Sequence, residues 1–351
     1  MMAGVESLEE CFDFRAEILK ALAFIPFGFG STASNAILII AILRSEQLRT
    51  RHEIQVMCAL SFADFIEALA TLIGGIYRSA VILANSIDIL FTPLQCMLLP
   101  HSWAWRWSDF ATSFMLLTLT VDRLISVVFP LRYIAWGPSY TRIAIGVPFG
   151  LSLLLSLAAW YNPITMRGTL SMLCMNVYLS PVFYAVSKYM TSCATILSIV
   201  LYIPVVYLIR NQLKIMSDKL YPTQLDCQRR AQLKMTITVA ISSCLTLFLD
   251  AIPRAIGIYG TTKLMNDTQR QCESAMSILF HLTKLNSMIN LFLYYHRNKA
   301  IRDSIRCMFF CVRQRSNNAQ TVHPVDASIS PLHPSTTHAP KTIIRSQMEK
   351  Y

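Results

Sequence analysis

Charged residues are scarce in this chain of 351 residues: Lys, Arg, Asp and Glu make up 15% of it, whereas soluble domains contain roughly 25%. Hydrophobic residues make up 54%, which leaves too little polar surface to cover a water-soluble globule and excludes disorder for most of the chain. The ten cysteines are too few for a disulfide scaffold. The composition therefore predicts a polytopic membrane protein, with a net charge of +11.

Long apolar runs predict the number of membrane helices. A helix needs about 20 mostly apolar residues to cross a hydrocarbon core of about 30 Å. Seven stretches meet this length, three without any charge and four with isolated charges. The charge-free stretches lack the polar face of a soluble amphipathic helix. The stretches are 21–43, 54–77, 97–121, 143–166, 189–209, 235–258 and 274–295. We predict an all-α membrane protein, a seven-transmembrane helix bundle.

The distribution of basic residues predicts the orientation of this bundle. The predicted loops on one side, together with the segment after the seventh helix, hold 21 of the 31 Lys and Arg residues. Because basic residues collect in cytoplasmic loops, this side is expected to be cytoplasmic and the N-terminus extracellular. The positive charge then belongs to a membrane surface and indicates no nucleic-acid partner.

The chain divides into four predicted segments. They are an extracellular N-terminus over 1–20, a seven-helix membrane domain over 21–295, a short amphipathic juxtamembrane helix over 296–313 and a disordered cytoplasmic tail over 314–351. The third segment alternates apolar and basic residues at helical spacing, as in helices that lie on a bilayer. Near its end, Cys307 and Cys311 are candidate palmitoylation sites, with unmodified thiols an equal alternative.

Four cysteines lie on the predicted extracellular side, where disulfides can form, and they allow three pairings. A Cys96–Cys174 bond would pin the second outer loop over the bundle. A Cys11–Cys272 bond would then tie the N-terminus to the third outer loop, and we carry this pairing as an expectation. The sequon at Asn266 lies in the same third loop, which predicts glycosylation there.

Several motifs resemble those of rhodopsin-like (class A) G protein-coupled receptors. Asn35 in the first helix and the run LSFAD ending at Asp64 resemble that family's helix-one Asn and LxxxD motif. The run from Asp122 to Tyr133 resembles its DRY-xxxxxPLxY segment, and NLFLY, ending at Tyr294, resembles NPxxY with Leu in place of Pro. Within the family, VDRLISVVFPLRY and RSEQLRTRHEIQVMCALSFADFIEA look most like nematode Srsx-type serpentine chemoreceptors.

The resemblance implies how the chain would be activated. It assigns G-protein coupling and activation to residues at the cytoplasmic end of the third helix, in the following loop and in the seventh helix: Asp122, Arg123, Pro130, Asn290 and Tyr294. In that family the acid restrains the arginine at rest. However, the sixth helix keeps Pro253 but lacks the usual Trp, and its foot has no acidic residue. We therefore expect an altered switch and some basal activity.

The resemblance also implies a sodium site in the middle of the bundle. A hard cation prefers oxygen ligands from carboxylates, hydroxyls and amides. Side chains of these types occupy the positions that hold sodium in many such receptors: Asp64, Thr112, Asn286, Ser287 and Asn290. The alternative is a water-filled hydrogen-bond network without a fixed ion.

Ionisable side chains inside membrane helices are costly and therefore mark candidate functional positions. Glu67 lies in the second helix, Trp105 and Asp109 lie four residues apart in the third, and Arg254 and Lys284 lie in the sixth and seventh. These five residues predict a mixed aromatic and charged pocket. Such a pocket suits a polar small molecule or the end of a peptide.

Two of these residues have competing interpretations. Arg254 follows Asp250 by four residues, the spacing of an ion pair within one helix. Lys284 precedes Asn290 by six residues, where the resemblance places the retinal lysine of opsins. A salt bridge with an acid of the predicted pocket, or contact with the ligand, is the favoured interpretation over retinal.

We therefore expect a plasma-membrane receptor, chemosensory and not an enzyme, without a resident cofactor other than the predicted sodium ion. Its expected partners are an extracellular small molecule or peptide, a heterotrimeric G protein, the lipid bilayer, and arrestin through a phosphorylated tail. The alternatives are a neuropeptide receptor of the same fold, a retinal-binding photoreceptor, and an ion transporter or channel.

Overall fold

The part of the chain that the computed structural model describes is almost entirely helical. The described residues are 14–165, 168–174, 179–217 and 274–308, with scattered positions between 237 and 256. The chain divides into two units, Met1–Phe309 and Phe310–Tyr351, and the second unit lies outside the described residues.

The described elements, in chain order, are α1 (Phe14–Arg44), α2 (Glu46–Arg49), α3 (His52–Leu83), β1 (Leu90–Phe91), α4 (Pro93–Leu98), α5 (Pro100–Val128), α6 (Pro130–Ala135), α7 (Pro138–Ala158), α8 (Tyr161–Thr165), β2 (Leu170–Ser171), α9 (Pro181–Ser217), α10 (Ser274–Arg297) and α11 (299–308). The first helix begins at Phe14, inside the segment that was expected to precede the bundle.

Five helical stretches in the described part of the chain are long and apolar enough to cross a membrane. They are Ala21–Arg44, His52–Leu83, Pro100–Val128, Pro138–Thr165 and Val182–Asn211. These stretches coincide with the first five predicted spans. α10 forms a helix at the seventh predicted span, whereas the sixth lies mostly outside the described residues.

Proline residues fix where four of the helices begin. Pro93, Pro100, Pro130 and Pro138 occupy the first positions of α4, α5, α6 and α7. Proline is favoured there because the first N–H groups of a helix have no partner within it and proline's φ angle is already helical. Thr92 additionally caps α4 through its side-chain oxygen.

Two glycines let α1 and α3 pack closely. A Cβ atom on Gly28 would lie 2.7 Å from the backbone nitrogen of Leu72, and one on Gly75 would lie 2.7 Å from Cβ of Phe24. Neither position can hold a side chain without moving the opposite helix. Small residues at such contacts are typical of helices that associate within membranes.

α5 lies at the centre of the described bundle and packs against α3, α7 and α9. Its buried Met115 and Leu119 belong to one apolar cluster with Val56 of α3 and with Tyr202 and Val205 of α9. A charged residue on the inward face of α5 is therefore surrounded by neighbouring helices.

α11 packs its apolar face against the bundle. Ile301 and Ile305 are buried in a cluster with Leu38 of α1, and Ser304 donates a hydrogen bond to the carbonyl oxygen of Ala41 at 2.7 Å. The sequence analysis predicted that this helix lies on the bilayer, and its two buried isoleucines show that one face of it covers α1. Cys307 is exposed on this helix.

A disulfide and a short sheet hold residues 168–174, which follow α8. Cys96 of α4 is bonded to Cys174, which confirms this predicted disulfide. The antiparallel strands β1 and β2 pair Leu90 with Ser171 and Phe91 with Leu170. Tyr77 Oη of α3 donates to the carbonyl oxygen of Met172 at 2.9 Å. We call this end of the bundle the disulfide end, and the opposite end the Arg123 end.

Candidate functional site

Four side chains form a hydrogen-bonded network at the Arg123 end, the first three of them buried and the last half-buried. We call it the Arg123 cluster: Asp122, Arg123, Tyr133 and Tyr140. Both nitrogens Nε and Nη2 of Arg123 donate to Oδ2 of Asp122, with Nε at 3.1 Å. Tyr133 Oη lies 3.1 and 3.2 Å from the two Asp122 oxygens and accepts from Nη2 at 3.2 Å. Tyr140 donates to Oδ1 at 3.0 Å.

The turn after α5 explains how the tyrosines reach the carboxylate. α5 ends at Val128, and Pro130 starts the short helix α6, which carries Tyr133 back beneath α5. Tyr140 lies in the first turn of α7 and packs on Trp136 with ring centroids 4.7 Å apart. Three consecutive elements therefore contribute to one cluster.

The charged pair at this end is hidden from solvent. Arg123 is 2% exposed and Asp122 is fully buried. Burial raises the pKa of Tyr133, and the carboxylate of Asp122 adds to the rise. The phenol therefore stays protonated at physiological pH and keeps its hydrogen for the carboxylate.

α10 buries both of its predicted activation residues, and Tyr294 packs against α1 and α3. Asn290 is 8% exposed and Tyr294 is 2% exposed. Nearby, the hydroxyl of Ser287 accepts hydrogen bonds from Ser31 at 2.9 Å and from Nδ2 of Asn35 at 2.7 Å. Asn35, part of the motif resemblance, thus connects α1 to α10.

The residues of the predicted sodium site have several protein partners of their own. Thr112 donates to Oε2 of Glu67 at 3.4 Å, and Asn286 accepts from Thr246 at 3.2 Å. Together with Ser287, three of the five residues bond outside the set. The acid and the second asparagine of the set, Asp64 and Asn290, are buried. The sodium site stays a prediction.

Trp105 connects three helices near the disulfide end. Its Nε1 donates to Thr71 at 2.9 Å, and Thr71 donates to the carbonyl oxygen of Glu67 at 2.8 Å. The indole meets Phe24 of α1 edge-on, with centroids 6.3 Å apart. The guanidinium of Arg78 lies 5.4 Å from the indole ring. Trp105, predicted to contact ligand, therefore already packs α1, α3 and α5 together.

Asp109 forms an ion pair with a residue that the sequence analysis missed. Its Oδ2 lies 2.8 Å from Nζ of Lys188 on α9, with side chains 15% and 27% exposed. Lys188 lies just before the fifth predicted span, so it was counted outside the membrane. α9 begins seven residues earlier, at Pro181, and this places the lysine beside α5.

Arg106 is a second buried residue that the sequence analysis left out of the predicted pocket. It lies near the disulfide end of α5 and is 7% exposed. Its guanidinium lies 5.5 Å from the ring centroid of Phe183 on α9. No described residue accepts a hydrogen bond from Nε, Nη1 or Nη2. The sequence signal was present, because a charge in a predicted span is costly.

Several predicted site residues lie outside the described residues. They are Cys11, Arg254, Asn266, Cys272 and Cys311. The backbone of Lys284 lies within α10, but its side chain is also outside the described set. The second disulfide, the glycosylation site and the lysine's partner therefore stay predictions.

A comparison with known protein families identifies the chain. The family model described as serpentine type 7TM GPCR chemoreceptor Srsx matches residues 28–309, which include the motifs of α1, α3, α5 and α10. No curated protein matches the chain significantly. The membrane-spanning helices and the Cys96–Cys174 disulfide accompany this match. The chain therefore belongs to the Srsx family of serpentine seven-transmembrane G protein-coupled chemoreceptors, which are multi-pass proteins of the plasma membrane.

Proposed function

We propose that this receptor binds an extracellular chemical ligand at the disulfide end and activates a heterotrimeric G protein at the Arg123 end. The basic residues of the predicted loops support this orientation, since they collect on the Arg123 side of the bundle. In this proposal the chain catalyses no reaction, and arrestin binds its phosphorylated tail.

The observation that carries the proposal is the Arg123 cluster. A guanidinium at the membrane boundary that is hydrogen-bonded and 2% exposed cannot contact a partner protein. A state that binds the G protein through Arg123 must separate it from Asp122 and Tyr133. The cluster is therefore a two-state element, and a ligand that favours the open state shifts the population toward signalling.

The two ends differ in a way that suits these roles. At the disulfide end, a covalent bond and strand pairing hold the loop segment in place. At the Arg123 end, hydrogen bonds and one ion pair hold the cluster together, and these can exchange with partner contacts. A fixed binding end and a rearranging coupling end fit a receptor that transmits a signal across the membrane.

The test expresses the receptor in cells with a promiscuous G protein and screens odorants and peptides. We expect ligand-dependent signalling that Arg123→Ala abolishes while surface expression stays near the wild-type level. Lys299→Ala, which removes an exposed positive charge from α11, is the matched control and should retain the signal. Signalling that persists in Arg123→Ala would contradict the proposal.

A further inference from the structure

Arg106 is an unusual residue because its charge is buried without a hydrogen-bond acceptor among the described residues. It is 7% exposed, and none of its three side-chain nitrogens has a hydrogen-bond acceptor among the described residues. Its described interaction is with the face of Phe183, at 5.5 Å. A cation–π contact compensates only part of the cost of removing a guanidinium from water.

The nearest described acid on α5 is already paired. Asp109 lies one turn from Arg106, and its carboxylate contacts Lys188 at 2.8 Å. The carboxylate of Asp109 is thus engaged with Lys188, and the guanidinium of Arg106 has no acceptor among the described residues. Since charges interact strongly where water is scarce, a bound anion would interact strongly with this guanidinium.

We propose that Arg106 binds the carboxylate of a small monocarboxylic acid, which is the ligand class of this receptor; this inference rests on the proposed function. The planar guanidinium matches a carboxylate with two parallel N–H···O bonds. One carboxylate supplies both acceptors for one guanidinium, and its single negative charge costs less to remove from water than the double charge of a phosphate.

The surroundings of Arg106 indicate what the rest of the ligand is like. Phe110 is 1% exposed and meets Phe183 edge-on at 6.1 Å, and it stacks with Phe114 at 6.0 Å. Phe183 also packs against the apolar cluster around the Cys96–Cys174 disulfide. An apolar aliphatic or phenyl body attached to the carboxylate would find aromatic surface beside its anchor.

The binding test uses purified receptor and matched probes. Straight-chain and phenyl-substituted monocarboxylic acids are compared with their primary amides, which have the same shape without the charge. We expect acids to raise the melting temperature of the wild type at concentrations at least tenfold lower than the matching amides require. In Arg106→Gln, acids and amides should require similar concentrations. Arg142→Gln, which removes an exposed charge from α7, should keep it.

Any of four results would overturn the assignment: amides as potent as acids, an acid effect that survives in Arg106→Gln, no stabilisation by any acid, or equal stabilisation by chloride alone. A ligand-free measurement adds a second check. Arg106→Met should raise the melting temperature, because it removes an unpaired buried charge. A marked fall would mean that the guanidinium is bonded structurally, and would also overturn the proposal.

Signalling separates this inference from the proposed function. Acids that bind through Arg106 without any G-protein signal would support the site and contradict the receptor mechanism. Signals from neutral compounds alone, unchanged in Arg106→Gln, would support the receptor mechanism and overturn the acid site.

Discussion

Two arginines buried on the same helix have opposite surroundings. Arg123 is 2% exposed and bonded to Asp122 and Tyr133. Arg106 is 7% exposed, lies over Phe183, and has no hydrogen-bond acceptor in the described part of the chain. Burial removes water from both charges, which is unfavourable. At Arg123 this desolvation cost is offset by the bonds to Asp122 and Tyr133.

The difference shows how a buried charge relates to function. A charge whose partners are all within the protein holds an arrangement together, and releasing it changes the conformation. A buried charge without a hydrogen-bond acceptor destabilises the protein, and a bound group that supplies the acceptor removes this destabilisation. In our proposals, the pair of Arg123 with Asp122 is a latch that opens on activation, and Arg106 is an anchor that binds the ligand.

The largest expected effect concerns the latch. Asp122→Asn removes the negative charge from a buried pair and should lower the free energy of unfolding by about 3–5 kcal/mol. Arg123→Gln should cost less, because Asp122 keeps the hydroxyl donors of Tyr133 and Tyr140. Thermal unfolding of the purified variants measures this order. Equal losses, or the reverse order, would mean that the tyrosines do not stabilise the carboxylate.

The next effect separates the two tyrosines. Tyr133→Phe removes bonds to both charged residues and should cost about 1.5–3 kcal/mol, the range for hydrogen bonds to charged groups. Tyr140→Phe removes one bond to Asp122 and should cost less. Because each change weakens the latched state, basal signalling should rise in the same order. A larger rise in Tyr140→Phe would assign the latch to α7 instead of α6.

The smallest expected effect tests whether Arg106 can be converted into a latch. Phe183→Glu places a carboxylate beside the guanidinium and should reduce the response to acids at least tenfold, about 1.4 kcal/mol. Phe183→Gln removes the same ring without adding a charge and serves as the matched control. A dose–response series in signalling cells measures both. Equal loss in the two variants would assign the effect to the missing ring.

Much of the fold follows from local sequence signals. Apolar runs predicted five spans that match membrane-length helices, and α10 forms at the seventh predicted span. The Cys96–Cys174 pairing was expected and is confirmed. Family motifs pointed to Asp122 and Arg123, which lie together in one buried cluster. The apolar runs and the motifs are local signals, whereas the disulfide was expected from the predicted topology, which places both cysteines on the same side of the membrane.

The contacts that were missed depend on positions far apart in the chain. Tyr140 reaches Asp122 only because α6 and α7 fold back beneath α5. The sequence around Tyr140 contains no motif that predicts this contact. Lys188 was counted outside the membrane because the fifth span was predicted from hydropathy alone. Hydropathy places the start of a span after the last charged residue, whereas the helix itself begins earlier, at Pro181. The burial of Arg106 depends on Phe183, 77 positions later, coming to lie against it.

The disulfide has a topological consequence. Cys96 and Cys174 are 78 positions apart, so their bond closes a covalent ring that contains both arginines and both tyrosines. Closing a ring of this size removes about 4.5 kcal/mol of chain entropy from the unfolded state. A single protease cut between α6 and α7 would leave one molecule on a non-reducing gel and two fragments after reduction. Arg106 and the Arg123 cluster would therefore remain covalently linked even in a receptor that has been cut between α6 and α7.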